Sequence, residues 1–253
     1  MKLGLVTYNM AKDWDIDTII KMCESTGFQG VELRTTHAHG VEVNLTKEQR
    51  ESVKQRFARS NIELVGLGSA FEYHSTDANE VKRNIEGTKE YIVLAKDVGA
   101  PGVKVRPNGL PADVPVDKTL NQIGLALKEC GQFAKDYNIQ IRLEVHGGGT
   151  SHVPYIRKIL DIADCENVVA CWNSNMGEVE NGSVKNNFEY LKGRIGLVHI
   201  NELYNSYPWR ELFQLLHSSG YNGYCLAEIP GSSDPERVMK YYKLAWDLLT
   251  ANL

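Results

Sequence analysis

Residues 141–149 read Ile-Arg-Leu-Glu-Val-His-Gly-Gly-Gly, and this stretch predicts where a buried strand stops and a functional site begins. Residues 139 to 145 are apolar or alternate in the manner of a β-strand, so Glu144 places a carboxylate at the end of a buried segment. Successive strand side chains point to opposite faces, which puts Arg142, Glu144 and His146 on one face. A cation, an acid and an imidazole therefore converge at a strand terminus, with a flexible loop behind them.

The rest of the chain repeats this pattern of a strand followed by a helix. Apolar strands begin near residues 2, 30, 62, 102, 139, 168, 195 and 224, and each precedes apolar residues at helical spacing. Asp15 is placed to cap the first helix, and Thr46 with Gln49 forms a capping-box pair at the second. Eight units in 253 residues average about thirty residues each, the size of a βα unit. The sequence predicts an α/β fold in which residues 1–253 form one (β/α)8 TIM barrel domain.

Glycines mark four of the junctions between a helix and the next strand. The Gly-x-x-Gly pairs begin at Gly27, Gly99, Gly193 and Gly220. The first glycine of each pair suits a left-handed residue just past a helix, and the second suits a tight entry into the sheet. An open doubly wound sheet is the alternative, but that fold usually has a glycine-rich phosphate turn after the first strand. Residues 8–10 read Tyr-Asn-Met, so the barrel is favoured.

Composition narrows the classes of partner. The formal net charge is −4 and like charges do not cluster, which argues against nucleic acid or an anionic membrane as the main partner. No apolar run has the length of a membrane span, and we expect a soluble cytoplasmic protein. The five cysteines form no Cys-x-x-Cys pair, so we expect reduced, mostly buried thiols. The aromatic segment 204–209 could meet a second copy in a homo-oligomer or cover a pocket.

Polar residues gather at the predicted C-terminal ends of the strands, which is where barrels of this kind have their active sites. Buried charge is costly unless it is paired or binds a metal. Glu144, Asn173, His199 and Glu228 follow or end strands five to eight, and their oxygen and nitrogen donors suit a divalent ion such as Mn, Zn, Co or Mg.

Other polar residues near the same ends are candidate substrate contacts. These are Arg34, His37, Glu72, Lys104, Arg106, His146 and Asn201. The cations among them, together with Arg142, favour an anionic substrate group or a stabilised oxyanion. The alternative is that they only neutralise carboxylates inside the barrel. His37 and His146 could contact the substrate, but a lone histidine is more often hydrogen-bonded scaffold. The three glycines after His146 could admit a phosphate, but a flexible turn explains them better.

Four motifs at the strand ends carry a family resemblance over nearly the whole chain. They are Arg-Leu-Glu-Val-His at 142–146, Cys-Trp-Asn at 171–173, Val-His-Ile-Asn-Glu at 198–202 and Ala-Glu-Ile at 227–229. In these motifs and their order the sequence resembles the xylose-isomerase-like TIM barrels, the AP endonuclease family 2 superfamily. That family contains sugar and sugar phosphate isomerases and epimerases, inosose dehydratase and endonuclease IV.

The resemblance implies one divalent ion held by Glu144, Asn173, His199 and Glu228. It also implies that the two glutamates exchange protons with the substrate as an acid–base pair. The sequence departs from the family at the sixth strand, where Trp-Asp-x-x-His is usual and residues 172–176 read Trp-Asn-Ser-Asn-Met. An Asn carbonyl can coordinate a hard cation but brings no charge.

The leading hypothesis is a metal-dependent isomerase or epimerase of a small sugar, sugar acid or sugar phosphate, working through an enediolate by glutamate-mediated proton transfer. A lyase that dehydrates a cyclic polyol or keto compound would begin with the same proton abstraction. A nuclease is disfavoured by the absent sixth-strand His and the negative net charge. The substitutions at Asn173 and Met176 keep a non-catalytic sugar-binding barrel open as a further alternative.

Overall fold

A computed structural model describes all of residues 1–253 as a closed barrel of eight parallel strands, paired in sequence order. The strands are β1 (Lys2–Val6), β2 (Gly30–Arg34), β3 (Glu63–Glu72), β4 (Gly102–Arg106), β5 (Gln140–Glu144), β6 (Val168–Trp172), β7 (Ile195–Ile200) and β8 (Tyr224–Ala227). The helices are α1 (Ile16–Thr26), α2 (Lys47–Ala58), α3 (Ala78–Val98), α4 (Val116–Lys135), α5 (Val153–Ala163), α6 (Lys185–Leu191), α7 (Trp209–Ser218) and α8 (Pro235–Thr250). The predicted (β/α)8 barrel is confirmed. Every helix is too short or too polar to span a lipid bilayer.

Local signals in the sequence place the element boundaries. The Asp15 carboxylate accepts the backbone N–H of Thr18 at 2.8 Å, and the predicted capping box of Thr46 and Gln49 is present at α2. The glycines that open the four Gly-x-x-Gly pairs all have left-handed backbones, with φ between 76° and 84°. Strand β3 is the longest and runs on to Glu72, where it pairs with β4 at Arg106.

The strands bury two separate sets of apolar side chains. Sixty buried residues fill the space between the barrel and the surrounding helices. A cluster of six, which includes Val6, Val65 and Leu226, fills part of the barrel interior, since alternate residues of each strand point inward. Towards the C-terminal ends of the strands the interior residues are charged instead, and all are buried: Glu32, Lys104, Arg142, Glu144 and His199.

Glycines in β3 make room for this charged layer. A Cβ atom at Gly68 would lie 2.9 Å from Glu32 Oε1, and one at Gly66 would lie 2.9 Å from Arg142 Nη1. The missing side chains thus let a carboxylate from β2 and a guanidinium from β5 occupy the barrel interior beside β3.

Candidate functional site

Three acidic or imidazole side chains converge at the C-terminal end of the barrel. Glu144 ends β5, His199 lies in β7 and Glu228 directly follows β8, and one donor atom from each lies within 4.8 Å of the others. His199 Nδ1 is 3.5 Å from Glu144 Oε1 and 3.9 Å from Glu228 Oε2. Glu144 and His199 are buried, whereas the Glu228 side chain is 19% exposed. The barrel therefore brings together three of the four residues predicted to bind an ion.

Asn173, the fourth predicted ligand, follows β6 and lines the same cavity as Glu144 and Glu228. Its Oδ1 atom is buried and has no hydrogen-bond partner. A buried carbonyl without a partner is costly, so an orphaned oxygen beside two carboxylates is the arrangement that a bound cation would satisfy. His199 Nδ1 likewise has no hydrogen bond. The hard oxygen and nitrogen donors present here fit a divalent ion.

The turn after β6 is tied to the end of β7. Ser174 has a left-handed backbone with φ 52°, and its hydroxyl donates to the His199 carbonyl at 2.7 Å. Asn201 Nδ2 donates to the Ser174 carbonyl at 3.0 Å. These two bonds fix the backbone on either side of the Asn173 and His199 side chains. Met176, which stands where the family motif has His, is 57% exposed.

The opposite side of the His199 ring faces a buried carboxylate. His199 Nε2 lies 3.2 Å from Oε1 of Glu32, which is fully buried on β2. A carboxylate behind a ring nitrogen holds the proton there and leaves the other nitrogen free as a ligand. Glu32 therefore orients Nδ1 towards the cluster. We did not predict Glu32 as a site residue, although an acid inside a fully buried strand was a visible signal.

Neighbouring charges set the ionisation of Glu32 and His199. Burial alone would raise the pKa of Glu32, but His199, Lys104 and Arg142 hold it below its ordinary value. Burial would lower the pKa of His199, yet its contacts with Cys171 and the carboxylates of Glu32 and Glu144 raise it well above the usual range. Without a metal the His199 ring is therefore held protonated, and an ion that bound at Nδ1 would displace the proton there.

A second buried ion pair joins β4 to β5. Lys104 Nζ donates to Glu144 Oε2 at 2.8 Å, and the two side chains are only 5% and 3% exposed. Burial opposes the charge on both groups, but each stabilises the other, so the pKa of Lys104 is raised and that of Glu144 is lowered. Glu144 is thus held as a carboxylate, with Oε2 bound to Lys104 and Oε1 directed towards His199.

The cluster opens into a cavity of about 270 Å³. The residues lining it are Tyr8, Arg34, Lys104, Arg106, Glu144, His146, Asn173, Asn175, Asn201 and Glu228. Small-molecule sites are usually somewhat larger, so a cavity of this size and polarity suits a small polar ligand. Five predicted substrate contacts line it, and Asn175 is a lining residue that our sequence analysis missed.

Most of the predicted cationic contacts already have partners. Arg106 Nη2 donates to Glu72 Oε1 at 2.6 Å, and Arg142 Nη1 donates to the Val65 carbonyl at 2.8 Å. Together with the Lys104 pair, these contacts match the alternative that the cations neutralise or satisfy groups of the protein itself. The Arg34 side chain differs, because its guanidinium has no hydrogen bond or ion pair and lies 5.1 Å from the centre of the Tyr8 ring.

Two of the predicted contacts lie outside the cavity lining. His37 Nδ1 lies 3.3 Å from Thr7 Oγ1, and Glu72 accepts hydrogen bonds from Arg106 and Asn108. Asn108 also bonds His146 Nδ1 at 2.8 Å, which orients that ring in the cavity wall. A role for His37 and Glu72 as direct contacts stays a prediction.

The three glycines after His146 form a tight turn. Gly147 and Gly149 have positive φ, and a Cβ at Gly147 would lie 2.6 Å from the Asn108 Cα atom. Their role in the structure is backbone conformation and close packing.

A buried network beside the cavity holds two loops together. Trp172 Nε1 donates to Tyr207 Oη at 2.9 Å, and this hydroxyl donates to Glu178 Oε2 at 2.9 Å. Burial raises the pKa of Glu178 to about 8. The network joins the loop after β6 to the loop after β7, and only the contacts in space, not the sequence pattern, could have revealed it.

Known structures share this architecture at low sequence identity. An IolI protein with a binding zinc atom has a TM-score of 0.83 and 15% identity, over 99% of this chain and 98% of that chain. The 3-keto-D-glucoside 4-epimerase YcjR from E. coli, in its apo form, has a TM-score of 0.81 and 15% identity, over 99% of both chains. A D-psicose 3-epimerase in the presence of D-fructose has a TM-score of 0.81 and 15% identity, over 100% of both chains. Such identities show a shared fold.

A search of curated proteins found no match to the chain. The family model described as xylose isomerase-like TIM barrel matches residues 20–243, which is most of the sequence. The matched range includes all seven residues of the charged layer and the predicted ion site: Glu32, Lys104, Arg142, Glu144, Asn173, His199 and Glu228. The chain therefore belongs to the xylose isomerase-like TIM barrel family.

Proposed function

We propose that this protein is a divalent-metal-dependent isomerase or epimerase of a small sugar, sugar acid or sugar phosphate. The observation that carries the proposal is the convergence of Glu144, His199 and Glu228, whose donor atoms lie within 4.8 Å at the bottom of a polar cavity. Two carboxylates around one position are what proton transfer on either side of a substrate carbon requires.

Glu144, Asn173, His199 and Glu228 would hold the ion. When bound, it would supply Lewis-acid polarisation of the substrate's carbonyl and hydroxyl oxygens. The orphaned Oδ1 of Asn173 and the free Nδ1 of His199 support this assignment. The zinc atom of the IolI structure supports it from a protein of the same fold.

The two glutamates differ in a way that suggests different roles. The Glu228 carboxylate is partly exposed and accepts no hydrogen bond from the protein, so it is free to take a proton from the carbon next to a substrate carbonyl. Glu144 is held as a carboxylate by Lys104, so the proton that it returns at the opposite face or at the neighbouring carbon would first pass to it from the Lys104 ammonium. Solvent would then reprotonate Lys104 and take the proton that Glu228 removed. The Lys104 ammonium would also offset negative charge that develops on the substrate as the first proton leaves.

The named activities of structural neighbours agree with this class of reaction. A psicose 3-epimerase, a ribulose 3-epimerase and a keto-glucoside 4-epimerase all share the fold over nearly their full length. Each name describes inversion at a carbon of a sugar, which supports epimerisation or isomerisation in this chain.

Hydrogen exchange with solvent provides the test. Protein purified without chelator and loaded separately with Mn²⁺, Co²⁺, Mg²⁺ or Zn²⁺ is incubated in D₂O with neutral ketoses, keto acids and ketose phosphates. We expect metal-dependent replacement of one carbon-bound hydrogen, read by NMR, and a loss of 10²-fold or more in Glu228→Gln.

The matched control is Glu236→Gln, which removes an exposed carboxylate paired with Lys240 and should leave exchange unchanged. Exchange that is absent with every metal, or that proceeds at the wild-type rate in Glu228→Gln, would contradict the proposal. Loss of water with a new ultraviolet chromophore would instead identify a dehydratase.

A further inference from the structure

Arg34 differs from the other two cationic side chains in the cavity wall. Lys104 is paired with Glu144 and Arg106 with Glu72, whereas the Arg34 guanidinium has no anionic or hydrogen-bonding partner. We propose that the substrate carries an anionic group, a carboxylate or a phosphate, and that Arg34 binds it. This inference rests on the proposed function and narrows its class of substrate.

The backbone of Arg34 is held on both sides. Its N–H donates to Thr7 Oγ1 at 2.8 Å, and its carbonyl lies 2.8 Å from His39 Nε2. His39 Nδ1 accepts the Val41 N–H at 3.0 Å, so the ring proton is on Nε2 and His39 donates to Arg34. The side chain in turn lies over the Tyr8 ring, a contact that favours a cation. Arg34 is therefore positioned before any ligand arrives.

The turn that follows Arg34 is strained and fixed. Thr36 has φ 64°, a left-handed conformation that β-branched residues rarely adopt. The Glu42 carboxylate accepts the Thr36 N–H at 2.6 Å and the Thr35 hydroxyl at 3.0 Å, and the Tyr91 hydroxyl also donates to it. Strained residues persist only where surrounding contacts hold their conformation in place, and they often lie at ligand sites. This loop thus holds Arg34 rigidly in the cavity wall.

The charges of the cavity also favour an anion. Lys104 offsets Glu144, and Glu72 offsets Arg106. Glu228 lies 3.9 Å from His199, which leaves Arg34 as the lining charge without an opposite charge beside it. Asn173 is neutral where the family motif has Asp, so a divalent ion in this site would leave the cavity positive. A neutral sugar would cover the Arg34 guanidinium without giving it a charged acceptor, whereas a carboxylate or phosphate can accept two parallel bonds from it.

Binding measurements test the proposal without requiring turnover. The probes are glycolate for a carboxylate, inorganic phosphate for a phosphate, and glycolaldehyde as the neutral analogue of glycolate. Each is titrated by calorimetry into wild type, Arg34→Gln and Arg34→Lys, both metal-free and loaded with Mn²⁺. We expect one anion to bind at least tenfold more tightly than glycolaldehyde, Arg34→Gln to abolish that preference, and Arg34→Lys to keep part of it. The better anion identifies the group.

Arg157→Gln is the matched control, because Arg157 forms an exposed pair with Asp161 away from the cavity. Thermal unfolding of each variant shows whether it is folded. Equal binding of the neutral and anionic probes by wild type, or an equal loss of all probes in Arg34→Gln, would overturn the proposal. Metal-dependent exchange on neutral ketoses that is unaffected by Arg34→Gln would overturn it and leave the proposed function standing. Arg34-dependent anion binding without any exchange would support the role of Arg34 and contradict the proposed function.

Discussion

The two halves of the barrel rim are built differently. Strands β5 to β8 direct the donors of Glu144, His199 and Glu228 to one point, with the orphaned oxygen of Asn173 in the same cavity. Strands β2 to β4 present cations, and only Arg34 among the cavity-lining ones is free of a protein partner. Under the proposed function, one half would hold the ion and the other would bind the charged end of the ligand.

Two buried contacts connect the halves. Lys104 of β4 binds Glu144 of β5, and Glu32 of β2 faces His199 of β7 across the barrel interior. Each half therefore sets the charge or orientation of a group in the other, and each contact can be broken separately.

The largest effect is expected from Lys104→Met, which leaves Glu144 buried without its cation. Removal of one partner of a buried ion pair typically costs about 3–5 kcal/mol of unfolding free energy. Urea denaturation at pH 7 measures the change. Lys158→Met, which breaks the exposed pair with Asp117, should cost no more than about 1 kcal/mol. A similar cost for both variants would show that Glu144 does not depend on Lys104.

Glu178→Gln tests the network behind the ion-binding half through its pH dependence. The pKa of Glu178 is raised to about 8 in the folded protein from an ordinary value of 4.5, so the folded state binds more protons between these values. Wild-type stability should therefore fall relative to the variant as pH rises from about 5 to 8, by about 3 kcal/mol. The measurement is the difference in unfolding free energy between wild type and variant at several pH values. A difference that does not change with pH would contradict the raised pKa.

Glu32→Gln tests the contact across the barrel. The amide keeps the shape of Glu32 but removes the charge that orients and polarises His199, so we expect Mn²⁺ to bind about 10- to 100-fold more weakly. Competition with a fluorescent chelator gives the affinity. Glu178→Gln is the control, since it replaces a buried acid that does not contact His199. Equal affinities for wild type and Glu32→Gln would exclude the positioning role.

The smallest effect is expected from Asn173→Asp, which adds a negative charge to the ion-binding half. A third carboxylate near the ion should tighten Mn²⁺ binding by about tenfold, because affinity in such sites rises with the charge of the ligands. Asn175→Asp adds the same charge to the cavity wall and serves as the comparison. An equal gain in both variants would mean that the general potential, not coordination by residue 173, controls affinity.

Short-range patterns were sufficient to predict the barrel. The Thr46 capping box, the glycines after the helices and the eight repeats each depend on residues close in sequence, and the structure confirms them. The convergence of Glu144, His199 and Glu228 followed from the rule that parallel strands end at one rim.

Contacts across the barrel could not be predicted from the sequence. The pairing of Glu32 with His199 depends on side chains 167 positions apart meeting in the interior, and the Tyr207–Glu178 bond depends on the fold of two loops. The sequence also could not show that Arg34 lacks a protein partner while Lys104 and Arg106 have one. A cation's partner depends on strand register and not on residue type.

The glycines at 66 and 68 limit which residues β3 can carry beside the charged layer. Neither glycine lines the cavity, but a side chain at either position would push against Arg142 or Glu32. Because Glu32 faces His199, a larger residue at position 68 would disturb the imidazole from across the barrel. A substitution in β3 would therefore change the charges of the site without changing the shape of its cavity.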